Sequence, residues 1–186
     1  MEDSRIVDLY WERSETAIDE TSKKYSRYCH YISFNILHNN EDADECVNDT
    51  YFRAWNAMPT LRPNVLSTFL GKITRNLSLD RFKQYNTEKR GRGQVELALS
   101  ELGECISDSS NIEQEIDERV LLEALNSFLN NLPKQKRNMF VQRYWYLMPI
   151  KEIAETSNMS ESKVKSMLFR ERKALKSILE KGGVIF

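Results

Sequence analysis

The chain has 186 residues and a formal net charge of −1, so its length allows one ordinary domain or two small ones. Hydrophobic residues make up 40% of the sequence and charged residues 30%, and no apolar run approaches the roughly 20 residues that a membrane span needs. The first residues are acidic and amphipathic, unlike the basic and apolar start of a secretory signal. We therefore expect a soluble cytoplasmic protein that does not insert into a membrane.

Acidic and basic residues are separated into blocks along the chain. Residues 1–50 carry a net charge of −7 and residues 72–92 a net charge of +5. Residues 96–123 carry −8, and residues 134–181 carry +7. The overall charge therefore conceals two basic segments, separated by an acidic one, that could bind nucleic acid.

Apolar residues recur at helical spacing almost everywhere, and the period-two alternation of strands is absent, so the sequence predicts an all-α fold. In the N-terminal half we expect a long helical region over 6–37, with a break near Ser22. Further helices are expected over 42–57 and 65–84, joined by the proline-containing loop 58–64. These helices should form one compact bundle.

The segment that follows, 87–116, is polar and rich in Gly, Ser and acidic residues, which predicts a solvated linker with a short helix in 95–102. Beyond the linker, Pro133 and Pro149 suit helix starts, and Gly182 and Gly183 should end the last helix. The helices expected in this half are 113–130, 134–146, 150–157 and 160–181.

We therefore predict two small helical domains joined by a flexible linker. The boundaries are a first domain over 1–88, an acidic linker over 89–115 and a second domain over 116–186. The second domain should contain a helix-turn-helix, because its last two helices are separated by a tight polar turn. The longer of these helices should bury four residues at offsets of four, seven and three, namely Val164, Leu168, Leu175 and Ile178.

Ser160 is a natural N-cap for that longer helix, whose first turns present short polar and basic side chains. Such groups can reach base edges in a major groove, and the later basic residues suit phosphates. A solvated amphipathic helix is the alternative. The candidate DNA-contacting residues are Glu161, Ser162, Lys163, Lys165, Ser166, Arg170, Arg172 and Lys173.

Helix 65–84 combines an apolar stripe with a polar, basic face. The stripe expected to point inward consists of Leu66, Phe69, Leu70, Ile73 and Leu77. The opposite face suits single-stranded nucleic acid, which needs cations along its backbone and pockets for unstacked bases, although such faces are often merely solvated.

The stretch 41–55 contains five carboxylates. The helix dipole explains those from Asp42 to Glu45, in the first turns of the expected helix, but not Asp49. A calcium loop is excluded because the sixth position lacks glycine and Arg53 stands at the twelfth. Neither histidine has the Glu-x-x-His spacing of a di-iron site. We therefore expect no metal and no cofactor, and infer a macromolecular partner with a basic surface.

Catalytic groupings are also missing from the sequence. It has no phosphate-binding loop and no Ser/His/Asp set, so we do not expect an enzyme. Cys29, Cys46 and Cys105 lack CxxC spacing, and we expect them to be reduced.

Four segments together resemble a known family. Segment 42–55 resembles the second conserved region of bacterial RNA polymerase sigma factors, and 69–83 resembles the segment just after it. Segments 132–145 and 152–175 look like the fourth region with its helix-turn-helix. The small size of the chain points to the extracytoplasmic-function group. The resemblance implies a sigma factor that binds core RNA polymerase and directs promoter-specific initiation; the alternative is a helix-turn-helix regulator that works without polymerase.

The resemblance also assigns roles to the candidate residues. Docking onto the coiled coil of the largest polymerase subunit is expected from Asp42, Glu45, Asn48 and Asp49. Loop 57–64 and the basic face of the following helix are expected to recognise and melt the minus-10 element. The residues expected to do so are Asn64, Thr68, Lys72, Arg75, Asn76 and Lys83. The helix from Glu161 would read the minus-35 element. An anti-sigma factor is a further expected partner.

The sequence departs from the family pattern at five positions. Phe69 stands where tryptophan is frequent, Pro149 replaces a Ser/Thr cap, and Leu147 replaces a common glycine. Met167 and Phe169 stand where Arg and His are frequent. These departures bear on the promoter sequence and not on the fold.

Overall fold

The computed structural model describes residues 1–86, 93–103 and 118–181. Within these ranges the regular structure is helical and no strand occurs, which confirms the predicted all-α class. The chain divides into two compact units, Met1–Gly91 and Arg92–Phe186. In the described parts of the chain, no helix is both long and apolar enough to cross a membrane.

Unit 1 consists of the helices α1 (Asp3–Trp11), α2 (Thr16–Leu37), α3 (Asn40–Ala57) and α4 (Leu66–Asn86). Its core draws on all four helices, with the fully buried side chains Ile6, Tyr10, Ile32, Ile36, Met58, Leu66 and Leu70.

The break in the long N-terminal helical region was predicted at the wrong place. Ser22 lies within α2, and the interruption is at residues 12–15. Arg13 there adopts a left-handed backbone conformation with φ of 56°, which ends α1, and the Ser14 N–H turns back to donate to the Leu9 carbonyl at 2.9 Å. The start of α3 is fixed by Asn39, whose side-chain oxygen accepts from the backbone N–H groups of the first turn.

Helix α4 buries a partly polar face. Leu66 and Leu70 are buried as expected, but the next two buried residues on that face are Thr74 and Ser78. The other members of the predicted stripe, Phe69, Ile73 and Leu77, are half-buried. Small hydroxyl side chains at these positions let α4 lie close to its neighbours. The buried stripe is therefore partly polar, and it is rotated around the helix relative to the predicted stripe of apolar residues.

The buried hydroxyls are paired across the helices. Thr74 Oγ1 lies 3.0 Å from Thr50 Oγ1 of α3, and Ser78 donates to Ser33 of α2 at 2.8 Å. The Thr74 hydroxyl donates to the Leu70 carbonyl at 2.9 Å, and the Ser78 hydroxyl shares its one proton between Ser33 and the Thr74 carbonyl. Because each hydroxyl is satisfied, the polar layer carries no desolvation penalty for an unpaired group.

Unit 2 consists of the helices α5 (Gln94–Gly103), α6 (Glu118–Asn131), α7 (Lys134–Tyr144), α8 (Ile150–Ser157) and α9 (Glu161–Lys181). Val164, Leu168 and Leu175 of α9 are buried as predicted. Ile178 is 41% exposed, however, and Leu179 takes its place in the core, because a four-residue step from Leu175 stays on the buried face. Gly182 and Gly183 lie outside the described residues.

The short helix expected at 95–102 is present as α5, but it does not belong to a solvated spacer. Val95 and Ala98 are buried, Leu102 packs against the core of unit 2, and α5 contacts α7. The described start of the compact unit therefore lies well before residue 116. The rest of the predicted linker falls outside the described residues.

The turn between α7 and α8 contains Leu147 in a left-handed conformation with φ of 55°. Glycine adopts this conformation without strain, whereas leucine adopts it at a cost in backbone energy. In this chain the leucine is only 1% exposed, so its burial offsets the backbone cost. Asn158, with φ of 54°, ends α8 in the same way, and asparagine tolerates that conformation better than most residues.

We predict that Thr74→Val lowers the free energy of unfolding of unit 1 by about 1 kcal/mol, because it keeps the side-chain shape but removes the hydroxyl that pairs with Thr50. Urea denaturation of the full chain measures the change. Thr68→Val, on the exposed face of the same helix, is the matched control and should change stability by less than about 0.5 kcal/mol. Equal effects of the two substitutions would contradict a role for the buried hydroxyl pair.

Candidate functional surfaces

The outward face of α3 presents part of the predicted acidic stripe. Asn48 and Asp49 are exposed, as is Glu45, whereas Asp42 is half-buried. Among them lies Phe52, which is 67% exposed and follows Asn48 by four residues and Asp49 by three. Sequence reasoning missed Phe52 as a site residue. Its spacing from Ala43, Val47 and Ala54 could have identified it, because this spacing places Phe52 on a different face of the helix from those buried residues.

Arg81 of α4 holds two of the four predicted docking residues. Its guanidinium makes a bidentate pair with the Glu45 carboxylate, both distances being 2.8 Å, and lies 3.5 Å from Asp42 Oδ1. The Tyr85 hydroxyl donates to the same Asp42 oxygen at 3.0 Å. The hydrogen bond from Arg81 lowers the pKa of Glu45, so this acid remains ionised. The acidic stripe therefore splits into a pair tied to α4 and a pair, Asn48 and Asp49, facing outward.

The exposed face of α4 brings the predicted minus-10 residues together. Asn64, Thr68, Lys72 and Asn76 follow one another at four-residue steps and are all exposed, and Lys83 continues the face. Arg75 is half-buried, and burial lowers its pKa, but a guanidinium stays charged at any physiological pH. The result is a polar, basic face extending along most of the helix.

The loop between α3 and α4 is fastened to α1, a helix to which the sequence assigned no role. Arg62 pairs with Asp8, and its guanidinium lies 5.7 Å from the centroid of the Trp11 ring. Beside the loop is a cavity of about 140 Å³, lined by Asp3, Ser4, Val7, Arg62, Pro63, Asn64 and Leu66. Asn64 therefore joins the exposed face of α4 to a small recess lined by both polar and apolar side chains.

Helix α9 exposes most of the predicted DNA-reading set. The residues that are exposed are Glu161, Ser162, Lys163, Lys165, Ser166, Arg170 and Lys173. The Ser160 hydroxyl accepts from the Lys163 N–H at 3.3 Å, as expected of an N-cap. Phe169, one of the departures from the family pattern, is 59% exposed on the same helix.

Arg172 differs from the other members of the set. Only 16% of its side chain is exposed, and it contacts Glu101 of α5 and Tyr144 of α7 at 3.3 and 2.7 Å. The sequence could not reveal this contact, because Glu101 lies 71 residues away in the segment assigned to the linker.

Among the described residues, no group of three or more His, Cys, Asp and Glu side chains is placed to hold a metal ion. Cys29 and Cys46 are buried free thiols, and burial raises the pKa of Cys29. Cys105 lies outside the described residues.

Two family models match the chain in the order that the sequence resemblance predicted. Residues 22–87 match sigma-70 region 2, which covers most of unit 1, and residues 122–175 match sigma-70 region 4 in unit 2. This chain is a member of the sigma-70 family. The expected resemblance is thereby confirmed.

Named relatives identify the group within the family. The ECF RNA polymerase sigma factor SigE of Mycolicibacterium smegmatis is 24% identical over 163 residues, covering 88% of this chain and 62% of SigE. The ECF RNA polymerase sigma factor SigM of Bacillus subtilis is 21% identical over 165 residues, covering 89% of this chain and 96% of SigM. The chain therefore spans less than two thirds of SigE but nearly all of SigM, and it belongs to the ECF group.

We predict that Ser160→Ala lowers the free energy of unfolding of unit 2 by about 1 kcal/mol, because the first turn of α9 loses its capping acceptor. Urea denaturation of the full chain tests this. Ser166→Ala, an exposed serine inside the same helix, should be neutral or slightly stabilising, since alanine has the higher helix propensity. Loss of stability in Ser166→Ala but not in Ser160→Ala would show that Ser160 does not cap α9.

Proposed function

We propose that this sigma-70 family protein binds core RNA polymerase and directs it to specific promoters, while polymerase carries out the chemistry. The observation that supports this most strongly is the occurrence of regions 2 and 4, in this order, on two compact units. A lone helix-turn-helix regulator is less favoured, because it would leave the region 2 unit and its exposed α3 face without a role. Such a function places the protein with polymerase in the cytoplasm.

The α3 face has the composition of a protein-binding surface. Phe52 supplies a large apolar side chain at its centre, and Asn48, Asp49 and Asn56 form a polar rim one helical turn away. Aromatic residues within a polar rim are typical of the positions that dominate binding energy. We assign this face to the coiled coil of the largest polymerase subunit, and its acidic character suits a basic partner.

Asp42 and Glu45 have a less direct part in this assignment. Both are engaged by Arg81, so contact with polymerase would require them to exchange one basic partner for another. Glu45 is exposed and can share its carboxylate with a second cation. Asp42 is only half-buried, but both Arg81 and Tyr85 contact it, and we therefore expect it mainly to hold the register of α3 against α4.

Promoter opening is assigned to the basic face of α4 together with the adjoining loop. Lys72, Arg75 and Lys83 provide positive charge along the helix, and Thr68 and Asn76 provide hydrogen-bonding groups between them. The cavity next to Asn64 is suitably placed for an unstacked base, which needs a recess with both polar and apolar side chains beside a cationic track.

Reading of the minus-35 element is assigned to the first turns of α9. Helix-turn-helix proteins contact base edges with the N-terminal residues of the second helix, and here these residues are polar, basic and exposed. An anti-sigma factor is expected from the resemblance, and covering the α3 face would be sufficient for it to block polymerase binding.

The proposed function predicts that in vitro transcription of fragmented host DNA by core polymerase yields discrete new starts when this protein is added. The starts should share two spaced elements. Lys163→Ala combined with Arg170→Ala should weaken selection of the upstream element by about 1–3 kcal/mol for each side chain that hydrogen-bonds a base edge. Lys181→Ala, at the far end of α9, is the control and should leave start selection unchanged.

Absence of new starts with folded protein, together with tight binding of a duplex operator by the protein alone, would support the regulator instead. Unchanged start selection in the double variant would exclude the proposed reading face of α9.

Polymerase binding provides a separate prediction. Asp49→Lys should abolish binding to core polymerase, and Phe52→Ala should weaken it by at least 10-fold, in line with losses of about 2 kcal/mol at central aromatic positions. Fluorescence anisotropy of labelled protein titrated with core polymerase measures both. Asp19→Lys, an exposed charge reversal on α2, is the matched control for altered net charge. Normal binding by folded Asp49→Lys would rule out this docking face.

A further inference from the structure

One carboxylate of α5 joins three side chains of unit 2. Glu101 Oε2 lies 3.4 Å from Arg143 Nε, 3.2 Å from the Tyr144 hydroxyl and 3.3 Å from Arg172 Nη1. Arg172 Nη1 also donates to the Tyr144 hydroxyl at 2.7 Å. Burial raises the pKa of Tyr144 to about 12, so its hydroxyl keeps the proton with which it can donate to Glu101. We call these four residues the Glu101 cluster.

The cluster changes the charge that α9 presents. Arg172 lies on the helix just beyond Phe169, and its guanidinium is 5.9 Å from the centroid of that exposed ring. Lys165 and Lys173 are exposed on the same helix, whereas the Arg172 guanidinium is directed inward against the Glu101 carboxylate, which it shares with Arg143. An arginine at the margin of the DNA-reading face is thus bound by α5.

We propose that Glu101 is a positioning residue that withholds Arg172 from DNA, and that release of α5 supplies α9 with one additional phosphate contact. This inference rests on the proposed function, because it assumes that α9 lies against duplex DNA. A released Arg172 side chain is long and flexible enough to reach a phosphate beside the groove, and guanidinium binds phosphate in bidentate fashion.

The small size of α5 favours its release. The helix has ten residues, and isolated helices of fewer than about 12–15 residues are marginal in water. Its attachment to unit 2 depends on Val95, Ala98 and Leu102 together with the contacts of Glu101. Loss of the Glu101 contacts would therefore weaken the attachment of α5 and free the Arg172 side chain.

A purely structural role is the competing explanation, in which Glu101 serves only to neutralise buried Arg143. The salt dependence of DNA binding separates the two, because the slope of log K against log salt concentration rises by about 0.9 for each phosphate that the protein neutralises. A change in folding stability alone shifts affinity but does not neutralise a further phosphate.

The experiment measures binding of the full chain to a non-specific DNA duplex across a salt titration. Glu101→Gln should steepen the slope by about 0.9 and tighten binding at low salt. Arg172→Gln alone should leave the slope at the wild-type value, since Arg172 does not contact DNA while Glu101 holds it. Arg172→Gln added to Glu101→Gln should restore the wild-type slope.

Folding is controlled within the same series. Glu101→Gln leaves the Arg143 charge buried without its carboxylate, so we pair it with Arg143→Met, because an apolar replacement of a buried ion pair is often tolerated. This double variant should remain folded by circular dichroism and should show the same steeper slope as Glu101→Gln.

Two results would overturn the inference while leaving the proposed function intact. One is an unchanged slope in both Glu101 variants, and the other is a slope reduced by Arg172→Gln alone, which would mean that Arg172 already contacts phosphate. Failure of wild-type protein to bind duplex DNA even at low salt would instead refute the assignment of α9 and this inference with it. Mapping of transcript starts tests polymerase-directed initiation independently.

Discussion

Arg143 places a full positive charge where water has no access, since its side chain is completely buried. An ionised group in the protein interior is tolerated only when it is paired and hydrogen-bonded. The Arg143 Nε lies 3.4 Å from the carboxylate of Glu101 and its Nη1 donates to the carbonyl of Met148 at 3.3 Å, whereas its Nη2 is buried without a hydrogen-bond partner among the described residues. Because Glu101 is supplied by α5, that helix must be part of unit 2 and cannot be a solvated spacer. The left-handed turn at Leu147 directly precedes the residue that provides the carbonyl.

Unit 1 is held together differently. Its interior contains hydroxyl pairs rather than a charge, and these allow α2, α3 and α4 to approach closely. Two arginines of unit 1 lie at its margin, where Arg62 fastens the loop to α1 and Arg81 connects α3 with α4. An exposed ion pair such as the one between Arg62 and Asp8 contributes little stability, typically below about 1 kcal/mol. The effect of these arginines is to set which side chains remain available on the surface.

The parts of the structure that could be predicted are those governed by local periodicity. Residues 150–157 form the helix that the sequence indicated, and Ser160 caps α9 as its residue type suggests. Local pattern gave no indication of the left-handed Arg13, because most residue types can occupy such a position at modest cost. It also misjudged Thr74 and Ser78, since hydroxyl residues are read as exposed unless their partners in other helices are known. The pairing of Glu101 with Arg143 spans 42 residues, beyond the reach of any helical repeat.

In this sigma-70 family protein, arginine–carboxylate ion pairs decide which charges are exposed on α3 and on α9. The pairs beside α3 lie near the surface, and the pair beside α9 is linked to the buried Arg143. Arg81 pairs with Asp42 and Glu45 near the surface and leaves Asp49 exposed beside Phe52, and Glu101 pairs with Arg172 while the first turns of α9 stay exposed. The Glu45 carboxylate is exposed, so a partner that offers its own cation can displace Arg81 at small cost. Glu101 is different, because separating it from Arg143 would leave a buried charge without a counterion. The contact most easily given up by Glu101 is therefore the one to Arg172, which is the contact that lies beside the proposed DNA-reading face.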